Sequence, residues 1–430
     1  MACLLACVIP ATAAASLTML IGAAEDEGRN ADPVLSQMKM DLAKAAGFDA
    51  IRITEVWTPG QTALTADDRA VLANTSQTAT FDGITLFATI MPYGSKTTPL
   101  TATARRDFAL YAADVVRQAP AIRDVIIGNE PNINRYWLPQ FNPDGTDAAA
   151  PAYEALLAQT YDAIKKVRPS EVVIGGSVSP HGSDNPALSR QTHSPTAFIL
   201  DMGAAYRASG RKKPIMDAFA LHPYGDNSSV PPTTAHLDST SIGVADYDKV
   251  VSLLGQAFDG TAQAGSSLPL YYDEYGVETQ IPASKLSLYT GKEPATTKPV
   301  PVATQALYYD EALTMAACQP NVKGMFLFHV TDETDLSRWQ SGLYYADDTP
   351  KASLPIVKQT IEQIHEGAVD CTASNAIDDD GWVLASAKPA RTPGTRVGKS
   401  PKKPKPKKTA APKKTTLAPA RIWELFGTGL

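Results

Sequence analysis

Residues 124–132 read Asp-Val-Ile-Ile-Gly-Asn-Glu-Pro-Asn. A short β-branched run suits a buried strand, and Gly128 and Pro131 then break it. Glu130 therefore sits where a buried strand opens into a loop. Residues 268–276 read Leu-Pro-Leu-Tyr-Tyr-Asp-Glu-Tyr-Gly and put Glu274 in the same place on a later strand. Outward from these two stretches, apolar runs alternate with helix-like segments. The strand candidates are Leu17–Gly22, Ala50–Thr54, Thr85–Ile90, Asp124–Gly128, Glu171–Gly175, Ala218–Leu221, Leu268–Tyr272 and Gly324–Phe328. The helix candidates are Pro33–Ala46, Ala102–Gln118, Ala152–Val167, Ser194–Ser209, Ala245–Phe258, Thr304–Ala317 and Ser353–Glu366, and Pro59–Phe81 reads as only partly helical. Short apolar strands, each followed by a helix, predict an α/β chain folded as a (β/α)₈ TIM barrel over residues 16–372. The competing architecture is an open doubly wound sheet. No Gly-x-Gly-x-x-Gly follows the first strand, which argues against its dinucleotide-binding version.

The 430 residues are 44% hydrophobic and 20% charged, a globular composition. The net charge of −6 conceals an asymmetry. Residues 388–421 hold twelve Lys and Arg, and Glu424 is the only acid after Ser386. Removing that +11 from the total leaves about −17 on the residues before it. An acidic body disfavours nucleic acid and suits a neutral ligand such as sugar. Residues 373–430 are expected to be a disordered tail, because the Lys/Pro/Ala/Thr composition cannot bury a core. Residues 1–15 resemble the apolar core and cleavage region of a secretory signal, although no Lys or Arg precedes them. Export would leave Cys318 and Cys371 as the remaining cysteines. They are either a disulfide tying the last helix to the body or two separate thiols. The protein is expected to be secreted or wall-associated, and monomeric.

Chemistry in a barrel gathers at the C-terminal ends of the strands, where the βα loops surround one mouth. Glu130 and Glu274 both fall there. Two carboxylates at one mouth are what glycosidic bond cleavage needs, one giving a proton to the leaving oxygen and the other attacking as an anion. Arg52, between Ile51 and Ile53, needs a partner. That partner is either Glu274 across the barrel or a structural acid such as Glu55 or Asp49. Asn129 is positioned to hold a sugar hydroxyl. If Glu274 points into the mouth, strand alternation turns Asp273 toward the helices. His222 either donates to a carboxylate or is a satisfied core histidine. Tyr93, Trp137, Tyr224 and Trp339 are candidate stacking platforms for sugar faces. No His/Cys/Asp cluster has metal-ligand spacing, so neither metal nor organic cofactor is expected.

These residues resemble glycoside hydrolase clan A, the retaining barrel glycosidases, over most of residues 16–370. The resemblance carries the acid/base role to Glu130 in Asn-Glu-Pro and the nucleophile role to Glu274 in Asp-Glu-Tyr-Gly. It also matches Arg52, Asn129, His222 and Tyr224. Thr192-His193-Ser194-Pro195 and Gln340-Ser341-Gly342-Leu343-Tyr344 are similar to an actinobacterial cellulase-like group related to families 5 and 39. One departure stands out. The resemblance implies a tryptophan closing the eighth strand, whereas here Phe328-His329 ends it and the nearest tryptophan is Trp339. The expected activity is retaining hydrolysis of β-glycosidic bonds in an oligo- or polysaccharide. The alternatives are a barrel without turnover that binds carbohydrate or cell wall, its basic tail held on anionic wall polymer, and a transglycosylase.

Overall fold

The computed structural model describes residues 15–374. The expected signal segment and basic tail, apart from the residues at their junctions, lie outside the described residues. Eight parallel strands close into a barrel in sequence order: β1 (Leu20–Ala24), β2 (Ala50–Trp57), β3 (Thr85–Pro92), β4 (Ile122–Ile127), β5 (Val172–Val178), β6 (Ala218–Leu221), β7 (Leu270–Tyr275) and β8 (Val322–Phe328). β1 pairs with both β2 and β8, which completes the ring. The helices outside it are α1 (Pro33–Ala45), α2 (Ala66–Asp82), α3 (Ala102–Gln118), α4 (Ala149–Val167), α5 (Pro195–Ser209), α6 (Tyr247–Phe258), α7 (Val302–Ala317) and α8 (Leu354–Glu366), followed by the short α9 (Cys371–Ser374).

Two strand bounds need correction, and one helix gains its bounds. β1 lies two to three residues later than predicted, because Leu17 is exposed and the buried run begins at Met19. The segment read as only partly helical is so: residues 59–65 are non-helical, and the 17-residue α2 follows them. Thr65 accepts from the Asp68 amide at 3.1 Å as its N-cap, two acids occupy the first turn, and Gly83 closes it at φ 66°. β2 runs three residues further, which carries Glu55 into the strand, where Arg29 pairs with it bidentately at 2.7 and 2.9 Å.

Two layers of side chains fill the barrel. The lower is apolar and includes Phe87, Ile126, Ile174, Tyr271 and Phe326, with Phe87 edge-on to Phe326 at 5.1 Å. The upper, toward the strand C-termini, is polar and charged: Arg52, Thr89, Ser177, His222, Asp273 and Glu274. A bare polar layer at this depth is costly unless every group has a partner. Outside the ring a larger apolar cluster joins strands to helices. Cys318 and Cys371 form a disulfide that ties the end of α7 to α9.

Candidate active site

Glu130 follows β4 in a strained conformation, with φ 40°. Its amide donates to the Ser177 carbonyl at 2.7 Å, and Ser177 is itself at φ 50°. Non-glycine residues seldom occupy this region, and such strain persists where the surroundings over-determine it. Here the brace is Tyr153 of α4. Its hydroxyl donates to the Ile127 carbonyl at 2.6 Å and accepts from the Gly176 amide at 2.8 Å, locking the ends of β4 and β5 together. Gly128, at φ 87°, must be glycine, because a Cβ there would meet the Tyr153 ring at 2.9 Å. Asn132 completes the clamp, accepting from the Ser179 amide at 2.8 Å and donating to the Ser179 and His193 carbonyls.

Across the barrel, Glu274 is bonded by Arg52 through Nη2 and by the Tyr224 hydroxyl at 3.0 Å. Arg52 is 4% exposed and also donates to Thr89 at 2.5 Å. The alternative partners are engaged elsewhere, Glu55 by Arg29 and Asp49 by the Ile21 amide and His365. Burial opposes charge on Arg52, but Glu274 and Asp273 outweigh it and raise its pKa.

His222 joins the two glutamates. Its Nδ1 lies 3.1 Å from Glu130 Oε1 and 3.4 Å from Glu274 Oε2. Those two oxygens are therefore no more than about 6.5 Å apart, the sum of the two distances. Its Nε2 lies 2.9 Å from Ser177 Oγ and 3.4 Å from Asp273 Oδ1. Burial alone would depress the imidazole pKa. The carboxylates of Glu274 and Asp273 reverse this and lift it to about 10. His222 is thus fully buried and faces three carboxylates.

Asp273 overturns the alternation argument. Tyr271 already faces the barrel interior, so alternation brings Asp273 inward too, where it is 0% exposed. Glu274 is the residue that departs from the pattern. The β7–β8 register shifts between Tyr272 and Tyr275, and this irregularity turns Glu274 inward as well. Burial pushes the Asp273 carboxyl up, but His222 and then Arg52 draw it below the usual range.

No family profile matches the chain, and no curated protein matches its sequence. Solved structures do match it. The likeness is one of fold. The GH5_18 protein of Streptomyces cattleya in complex with GlcNAc is 15% identical, with a TM-score of 0.53 over 81% of each chain. A beta-glucosidase from Exiguobacterium marinum is 13% identical, with a TM-score of 0.52 over 80% of this chain and 98% of that one. A GH39 beta-xylosidase from Caulobacter crescentus is 18% identical, with a TM-score of 0.50 over 80% and 72%. Against beta-glucuronidase 2 of Bacteroides uniformis, at a TM-score of 0.47, the chain spans only 34% of that protein's length.

The barrel mouth opens into two lobes that meet at Phe328. One, of about 510 Å³, is lined by Glu130, Glu274, Tyr136, His181, Tyr224 and Trp339. The other, of about 400 Å³, is lined by Arg52, Glu25, Asp26, His329 and Glu333. Trp339 reaches the first lobe from the loop after β8 and packs on Tyr224 at 5.0 Å and Phe328 at 5.1 Å. Two expected platforms are not there. Trp137 is 1% exposed, edge-on to Tyr153 in the helix-side core, because the chain after Glu130 folds back onto α4. Tyr93 lies beyond β3, 40% exposed, and lines neither lobe. Asn129 is buried, and its Oδ1 has no protein partner. Among the described residues no cluster of three or more potential metal ligands occurs.

Proposed function

We propose that the protein is a retaining β-glycoside hydrolase acting on an oligo- or polysaccharide by double displacement. One observation carries this reading: Glu130 and Glu274, from opposite sides of the barrel, meet at the same imidazole nitrogen at the floor of a cleft. The bound of about 6.5 Å between their nearest oxygens favours direct attack, since inverting pairs hold their carboxyls about 6.5–9.5 Å apart to admit a water.

In the first step Glu130 gives its proton to the leaving oxygen, the glycosidic bond breaks, and a Glu274 oxygen bonds to the anomeric carbon. In the second, Glu130 takes a proton from water as that water attacks, and the ester to Glu274 breaks. Arg52 and Tyr224 orient Glu274 for attack. The lobe that contains Glu130 would take the leaving group, because the acid must reach that oxygen, and the lobe beside Arg52 would take the glycone. Trp339 supplies an aromatic wall against which a sugar face can stack. The beta-xylosidase, the beta-glucosidase and the GlcNAc-bound GH5_18 protein among the structural neighbours make neutral sugars the first ligands to test. Export belongs to the same proposal, because a disulfide persists in an oxidising compartment.

The test is Glu274→Ala. It should abolish turnover of activated aryl glycosides, and azide should restore it with the α-glycosyl azide as product. Wild-type turnover in that variant would end the reading.

A further inference from the structure

We propose that Asp273 is a positioning residue for this reaction: through Ser177 it fixes His222 as a double donor whose Nδ1–H serves whichever catalytic glutamate is anionic. The inference rests on the glycosidase reading above.

Hydrogen-bond logic carries it. An ionised carboxylate only accepts, so the Ser177 hydroxyl, 2.8 Å from Asp273 Oδ2, must donate to it. The Ser177 oxygen then offers only a lone pair to His222 Nε2 at 2.9 Å, so Nε2 carries a hydrogen. On the other edge, Nδ1 faces oxygens of Glu130 and Glu274 at 3.1 and 3.4 Å. A lone pair there would oppose the anionic Glu274, which can only accept, so Nδ1 carries a hydrogen too. The ring is an imidazolium. The groups that face it are Glu130 from the β4 loop, Ser177 of β5, Tyr224 beyond β6, and Asp273 and Glu274 of β7. Arg52 of β2 stands behind Asp273 at 3.9 Å.

The reaction gives this geometry a purpose. Before the first step Glu274 is the anion and Glu130 carries the proton. After it, Glu274 is a neutral ester and Glu130 is the anion. One N–H between the two can follow the charge without moving the ring. His222 neither gains nor loses a proton, so atoms and charge balance as in the two steps above. Asp273 keeps that donor in place: it is wholly buried, and it reaches both Ser177 and the imidazolium. An asparagine would match its size without its charge.

The experiment is Asp273→Asn, read by the pH profile of kcat/KM on an aryl glycoside and by NMR titration of ¹³C-labelled histidine, with His222 assigned from the signal lost in His222→Asn. The His222 titration should move down by about one pH unit or more, and kcat/KM should fall across its pH profile. A residue that only supported the fold would lower kcat/KM and leave the His222 titration in place. Ser177→Ala, which keeps the charge and removes the bridge, should shift that titration in the same direction by less. An unchanged His222 titration in Asp273→Asn overturns the proposal. If that variant does not fold, the same result in Ser177→Ala overturns it. If the wild type hydrolyses no glycoside, the glycosidase reading falls, and the NMR titration still decides whether Asp273 holds His222 charged.

Discussion

At the scale of single residues, the polar layer is a set of mutual dependencies rather than a list of groups. Arg52, His222, Asp273 and Glu274 are each buried, and each has at least one other as a partner. Removing one member leaves an uncompensated buried charge, which costs far more than the pair contributes. Arg52→Met should therefore lower unfolding stability by about 3–5 kcal/mol, measured by denaturant titration, as well as reduce turnover. Glu130→Gln keeps the shape and loses the proton. It should reduce kcat about 10²–10⁴-fold on glycosides with poor leaving groups and far less on activated ones, a contrast read from a leaving-group series. Trp339→Ala should act differently. Its ring walls the lobe that holds Glu130 and reaches Glu274 only through its packing on Tyr224, so KM should rise by more than kcat falls.

At the scale of elements, most of the barrel could be read from the chain because the patterns are local. β6 and α3 fall on the residues their composition predicted. Glu130 and Glu274 could be found because each follows an apolar run and precedes a chain-breaking residue. Other features depended on neighbours. α2 buries Thr75 and Thr78 beside Leu72 and Ala79, so its apolar periodicity is weak, and its helix shows instead in the Thr65 cap and Gly83 stop. The inward turn of Glu274, beside an Asp273 that alternation already faces inward, comes from the shifted β7–β8 pairing, which no single strand encodes. A clue was present, since an Asp inside a strand of aromatic and apolar residues must find a buried partner. Trp137 misled because an aromatic near a catalytic loop is as easily core as platform. Between Cys318 and Cys371, sequence spacing left two readings open, and their side chains meet only because α9 packs against α7. Replacing both cysteines by serine should cost about 2–4 kcal/mol, seen as a lower denaturant midpoint with the active-site chemistry unchanged.

At the scale of the whole molecule, the buried ionisable groups set how stability depends on pH. Burial lifts the carboxyls of Asp124 and Glu171 to about 6 and about 7. The folded state therefore binds their protons more tightly than the unfolded chain, and the stability they contribute is lost as pH rises from about 4 to 7. His222 adds a second decline: its contribution is complete below about pH 6.5 and disappears as pH approaches about 10. The melting temperature should fall in both windows, and Glu171→Gln should flatten the first while leaving the second. The central claim, that Glu274 attacks and Glu130 handles the proton, has a more direct test. An activated 2-deoxy-2-fluoro-glycoside should inactivate the enzyme, and peptide mass analysis should find one fluoroglycosyl group, attached at Glu274. A label on any other residue, or no label from an enzyme whose first-formed product has the inverted anomeric configuration, would contradict the account.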